Sequence, residues 1–105
     1  MISEGLESEG FESEVLEIEG KKFDAYSISL NPAPFLLIRS ADKSFIACGF
    51  LDIGAADALS ACAAKVKGVK TFDDMMKAEV VAVTKKAEEK GVKVGMTGKE
   101  ALLLL

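Results

Sequence analysis

The sequence predicts an α+β fold, a small and mostly antiparallel N-terminal β-sheet packed against C-terminal helices. Two observations carry that expectation. Residues 11–50 carry short apolar runs separated by Gly, Pro, Asn and Asp, the pattern of sequential hairpins. After Asp52 the spacing becomes helical, with an alanine-rich stretch followed by threonines placed as helix caps. A chain of 105 residues, half of them apolar, suits one domain with a single core. Residues 1–105 are therefore read as one α+β unit, mainly β over 11–50 and mainly α over 54–105, with 1–9 expected to fray.

Each element follows from its residues. Phe11–Glu19, FESEVLEIE, alternates apolar and acidic residues imperfectly, as an edge strand with a bulge would. Gly20-Lys21-Lys22 is read as a turn. Lys22–Leu30 is read as a second strand, with Tyr26, Ile28 and Leu30 on one face at period two. Asn31-Pro32-Ala33-Pro34 is a loop, since two prolines break any regular ladder. Phe35–Arg39, FLLIR, suits a strand covered on both faces, and Ser40–Lys43 supplies a turn into a fourth strand over Ser44–Phe50.

The C-terminal half is read as helical. Gly54–Ala64 is rich in alanine, with Leu59 and Cys62 one turn apart. Lys65–Lys70 can add a short strand. Thr71 caps a helix whose face is Met76, Val80, Val83 and Ala87; alternatively, the β-branched run Val80–Thr84 forms a strand and Thr84 caps a separate helix. Gly91 fits a left-handed cap, and Thr97 with Glu100 three places on matches a capping box. The Leu102–Leu105 run must pack on the core or on another subunit.

Composition excludes several chemistries. The chain has no histidine, so no Ser-His or Cys-His pair and no His-ligated metal can form within one chain. Its two cysteines, Cys48 and Cys62, stand apart and fall short of a zinc site, so neither metal nor cofactor is expected. The longest apolar run is far too short for a bilayer, and the acidic start lacks the features of a signal peptide. A cytoplasmic protein without a membrane partner is the expectation.

Charge is uneven. Residues 1–20 hold seven glutamates and no basic residue, whereas residues 21–105 hold 13 basic against 10 acidic residues. The acidic front would repel phosphates, which argues against nucleic acid. It suits either a solvated edge that discourages aggregation or a strip that lies across a basic surface of a second copy.

Four motifs invite a chemical reading. Gly95-Met96-Thr97-Gly98-Lys99 resembles a phosphate loop but lacks its first glycine and places Glu100 where a hydroxyl is needed, so a helix cap accounts for it. Asp73-Asp74 suits the first turn of a helix better than a cation. Lys65, Lys67 and Lys70 cluster around Gly68 without interleaved aromatics and read as a solvated turn. The stretch "ACGFLD" places Cys48 beside Gly49, with Asp52 four positions on. Read functionally, Gly49 admits a substrate and a helix start near Gly54 activates the thiol. Read structurally, Cys48 is a small buried hydrophobe at a strand end and Asp52 a cap. Lacking a histidine activator, the structural reading leads.

The runs "FIACGFLDI", "KGVKTFDDMMKAEV" and "TKKAEEKGVKVGMTGKEAL" resemble, in that order, the blocks of the YunC-like family, a bacterial and archaeal domain of unknown function. The resemblance implies a small α+β domain whose N-terminal β region mediates tetramer formation. On this chain the assembly surface would be roughly residues 11–30. No activity or catalytic residue comes with it. Cys48, Gly49, Gly68, Gly95 and Met96 match block positions and are the candidate binding residues, with Cys48 and Asp52 the candidate catalytic ones. The expectation is a homo-oligomer, a tetramer, acting as a small-molecule or regulatory binding module. The alternative is an enzyme using Cys48 as a thiol nucleophile at a cleft shared between subunits.

Overall fold

The computed structural model describes residues 10–105. Expectations placed on residues 1–9, including their fraying and three of the glutamates, lie outside the described residues. A six-stranded sheet runs in chain order from β1 to β6: β1 Phe11–Ile18, β2 Lys21–Ile28, β3 Phe35–Arg39, β4 Phe45–Ala47, β5 Ala63–Val66 and β6 Val80–Val83. Neighbours pair antiparallel except β4 with β5, which are parallel and joined through helix α1, Ile53–Ala58. The other described helices are α2 Phe72–Lys77, α3 Lys85–Glu89 and α4 Gly98–Leu104. The α+β class is the one the sequence predicts.

The first hairpin turns on two residues, Glu19 and Gly20, at φ 51° and 84°. This left-handed pair matches the twist of the flanking strands, and it leaves Lys21 and Lys22 inside β2 rather than in the turn. The β1–β2 ladder runs without interruption from Phe11↔Ile28 to Ile18↔Lys21, so the expected bulge is absent there; the register shift falls at Lys65/Val66 instead.

One face of the sheet is the core face. Phe23, Ala25, Leu36, Ile38, Ile46, Ala64 and Val66 are buried against Met75 of α2, Ala87 of α3 and Ala101 and Leu102 of α4. Each large apolar side chain taken fully out of water contributes about 1.5–3 kcal/mol. Leu102 and Leu105 are buried, as the closing leucine run required, while Leu104 is exposed. Gly98 brings α4 close to α2: a Cβ there would sit on the Met75 carbonyl oxygen.

The opposite face is covered only in part. Phe11, Val15 and Ile28 are exposed there, and Tyr26, Phe35, Leu37 and Phe45 are half-buried. The stripe Tyr26, Ile28, Leu30 therefore points away from the core, which takes Phe23 and Ala25 from β2 instead. Likewise β3 alternates between buried and half-buried positions rather than being sealed on both faces.

Two helical expectations are corrected and one open alternative is resolved. The run Gly54–Ala64 is not one helix: α1 ends at Ala58, Leu59 is exposed, and Ala63-Ala64 enter β5. Cys62 thus lies in the loop before β5, half-buried, not on a helix face. Alanine's helix propensity gives way to fully buried strand positions paired with Phe45 and Ile46 of β4. Between residues 72 and 90 the chain forms helix, strand and helix, the second of the two alternatives. Thr84 caps α3, its hydroxyl accepting from Ala87 N at 3.3 Å and also from Ala63 N at 3.1 Å.

Candidate functional site

A cleft of about 320 Å³ opens where three loops meet. Ala33 and Pro34 come from the loop before β3, Cys48, Gly49 and Phe50 from the end of β4, and Gly68, Val69 and Lys70 from the turn between β5 and α2. Its size lies at the low end of small-ligand sites, and its lining is mostly apolar. The parallel pairing of β4 with β5 creates it, since both strands run out at the same end of the sheet and their loops face one another.

Cys48 is buried, at 3% exposure. Its backbone N–H donates to Leu36 O at 3.0 Å, continuing the ladder one residue past β4. The sulfur in turn accepts from Leu36 N at 3.3 Å, and Pro34 O lies 4.0 Å from it. This backbone clamp explains why a small, polarizable residue stands here. Gly49 and Phe50 are exposed beside it. Gly68 takes φ +72°, a conformation a side chain would strain, and a Cβ there would meet nothing within 4 Å. Phe50 stacks on Phe35, ring centroids 6.0 Å apart with an interplanar angle of 19°.

Three of the candidate residues, Cys48, Gly49 and Gly68, thus come together. The other three do not line the cleft. Asp52 caps α1, its Oδ1 accepting from Ala55 N at 3.2 Å. Gly95 and Met96 form the turn before α4 and bond to β6: Gly95 N donates to Val80 O at 2.9 Å and Val80 N to Met96 O at 2.8 Å. Asp73 pairs with Lys77 at 2.9 Å and Asp74 accepts from Lys70 N at 3.1 Å, so both acids act within and around α2. Among the described residues no three metal-ligating side chains converge.

Sequence reasoning passed over Pro34, Phe50 and Val69 as cleft walls. No local pattern marks them, because the cleft is assembled from segments far apart in the chain. It also passed over a cluster at the other end of the sheet. Asp42, in the β3–β4 turn, takes the Lys90 ammonium at 2.6 Å, the Ser40 hydroxyl at 2.6 Å and the Ser44 N–H at 3.0 Å. Lys90 first, then the two serines, hold its carboxyl well below the usual carboxylate range; in return Asp42 raises the Lys90 ammonium. This cluster ties the hairpin to the end of α3.

Residues 47–105 match the family described as a domain of unknown function, DUF1805, which takes in more than half of the chain and two of the three cleft loops. The chain belongs to this family. It is similar to the uncharacterized protein YunC of Bacillus subtilis, with 37% identity over 90 residues, 82% of this chain and 88% of that one. It is also similar to the crystal structure of a protein of unknown function, TA1206, from Thermoplasma acidophilum. That match has a TM-score of 0.81 and 31% identity, covering 86% of this chain and 87% of the other. The YunC-like membership and the α+β architecture are as the sequence motifs implied. No helix of the described residues is long and apolar enough to cross a membrane.

Proposed function

We propose that this DUF1805 protein is a homo-oligomeric binding module whose small-molecule site is the cleft over Cys48. The observation that carries this reading is the convergence of Cys48, Gly49 and Gly68, from two separate loops, on one largely apolar cleft. The cleft offers shape and an apolar surface, and few groups that could move a proton. Its lining includes one thiol and one amine, Asp52 is engaged as a helix cap, and the chain contains no histidine. A binding role therefore fits better than catalysis by the Cys48 thiol.

The oligomer is proposed to form through the partly covered sheet face, residues 11–30 of β1 and β2 extended by Phe35, Leu37 and Phe45, with a second copy as its occupant. That face carries its own compensating charges: Arg39 pairs with Asp24 at 3.5 Å and lies 5.1 Å over the Tyr26 ring. A surface with an apolar centre and both signs of charge suits a symmetry-related copy of itself. Edge-to-edge pairing is disfavoured, since Glu12, Glu14 and Glu17 line the exposed strand β1. A tetramer is the assembly the family resemblance implies, and a cytoplasmic location suits the reduced cysteines.

Two measurements test the reading. Native protein is treated with iodoacetamide across pH. A binding site predicts slow alkylation of Cys48 that accelerates only on unfolding, whereas rapid alkylation well below pH 8 would establish a reactive thiol and favour the enzyme alternative. Sedimentation of the full chain at micromolar concentration should give an oligomer. A monomer there refutes the assembly.

A further inference from the structure

The chemistry around the cleft goes further than its shape. We infer that its ligand is an amphipathic anion, a carboxylate with an apolar body; this rests on the cleft being a binding site. Of the eight lining residues the one charged side chain is Lys70, and none is acidic. Lys67 lies next to Gly49 at the edge of the cleft, its stem 3.8 Å from where a Cβ on Gly49 would sit. None of the ion pairs among the described residues includes Lys67 or Lys70.

The backbone points the same way. The N–H groups of Gly49 and Gly68 have no protein acceptor among the described residues. Gly68, at φ +72°, gives its turn the left-handed backbone from which anion-binding concavities are built. An anion at this lip would meet the free N–H donors and the Lys70 side chain, with Lys67 close enough by its stem to reach in and an apolar chain laid between Pro34 and Phe50 above Cys48. A cation would gain neither interaction. Lys70 also borders the groove that holds Glu12 and Glu14.

Octanoate, octanol and octylamine serve as probes against the full-length protein, with calorimetry for affinity and the amide resonances of Gly49 and Gly68 for location. Octanoate is expected to bind about tenfold or more tighter than octanol, shifting both resonances, as charge-assisted hydrogen bonds require. Lys67→Gln and Lys70→Gln should each weaken octanoate about three- to tenfold, leaving octanol unchanged and the amide spectrum folded. Octanol binding as tightly as octanoate, or octylamine binding tighter, overturns the anion inference while the cleft reading stands. No response of Gly49 and Gly68 to any of the three removes the cleft reading itself.

Discussion

Phe50 stacks on Phe35 at 6.0 Å between ring centroids, and this contact joins the cleft to the partly covered face of the sheet. Phe50 is a wall of the cleft, while Phe35 borders the groove that also contains Phe11, Tyr26 and Phe45. The two surfaces on which the proposed function depends therefore share an aromatic pair.

Replacing Phe50 removes one side of both the stack and the cleft. Phe50→Ala is expected to cost about 0.5–1.5 kcal/mol in denaturant unfolding, the range for an aromatic pair. Its ring is half exposed, so little burial is lost with it. The same variant should speed alkylation of Cys48 in the native state and weaken octanoate binding. Phe50→Leu, which keeps an apolar wall, should recover most of the binding. Unchanged alkylation and binding in Phe50→Ala would separate this ring from the site.

The Asp42–Lys90 cluster makes a pH prediction. Asp42 has a carboxyl held below its ordinary value in the folded state, so the stability it contributes is present above the unfolded value of about 3.9. That contribution is lost as pH falls through the lower folded value. Lys90 is raised, so its share is present below the unfolded value near 10.4 and lost as pH rises through the folded one. The Asp42 side chain is 55% exposed, and solvent screening keeps the pair's contribution near the surface-pair range. Asp42→Asn should cost about 1 kcal/mol at pH 7, and the difference from wild type should shrink toward zero in strong acid. A difference that persists there would mean that the side chain acts through packing.

Much of the fold was legible because local chemistry and tertiary structure agree. Thr71, Thr84 and Thr97 each accept the backbone N–H three residues on, and the capping box at Thr97 and Glu100 forms as written. The failures have physical causes. Ala63 and Ala64 carry helix propensity, but parallel pairing with Phe45 and Ile46 of β4 holds them buried in an extended backbone. Strand β2 has apolar residues at both parities, Phe23 and Ala25 against Tyr26 and Ile28, so alternation alone cannot choose the buried face. In the site, Cys48-Gly49 stood out locally and the β3–β4 hairpin brings Pro34 to it, but its meeting with Gly68 depends on the parallel β4–β5 pairing, which no short pattern encodes.

Thr84 offers a test of how firmly β5 and α3 are joined. Its fully buried hydroxyl accepts two N–H groups, Ala63 and Ala87. Thr84→Val keeps the volume and leaves both donors without a partner. The expected loss is about 2–4 kcal/mol, read from the midpoint of urea unfolding at constant slope. Thr84→Ser, which retains the oxygen, should restore more than half of it.

Gly98 tests the approach of α4 to α2. A methyl group there collides with the Met75 carbonyl, a backbone atom that cannot swing aside as a side chain would. Gly98→Ala is therefore expected to destabilise by about 3 kcal/mol or more, despite adding a better helix former. Gly20→Ala makes the comparison. It meets no atom within 4 Å and is strained only through its positive φ, so its cost should be about 1 kcal/mol. Thermal unfolding of both variants, with equal losses, would contradict the close approach.

Assembly through the sheet face makes the last prediction. Leu37 lies at the centre of that face, opposite Tyr26 on β2 and Ala47 on β4, and is half-buried in the single chain. Its side chain does not belong to the buried core cluster, so a polar replacement leaves the monomer's core intact. Leu37→Glu should shift the full-length protein from oligomer to monomer in sedimentation while its circular dichroism stays native. Val15→Glu, at the periphery on β1, should weaken assembly less, because burial at the centre of an interface excludes water most completely. Glu14→Gln changes the charge of the same strand on its other face and should leave assembly within about twofold of wild type. If Glu14→Gln dissociates the protein and Leu37→Glu does not, the acidic face of β1, not the apolar one, holds the copies together.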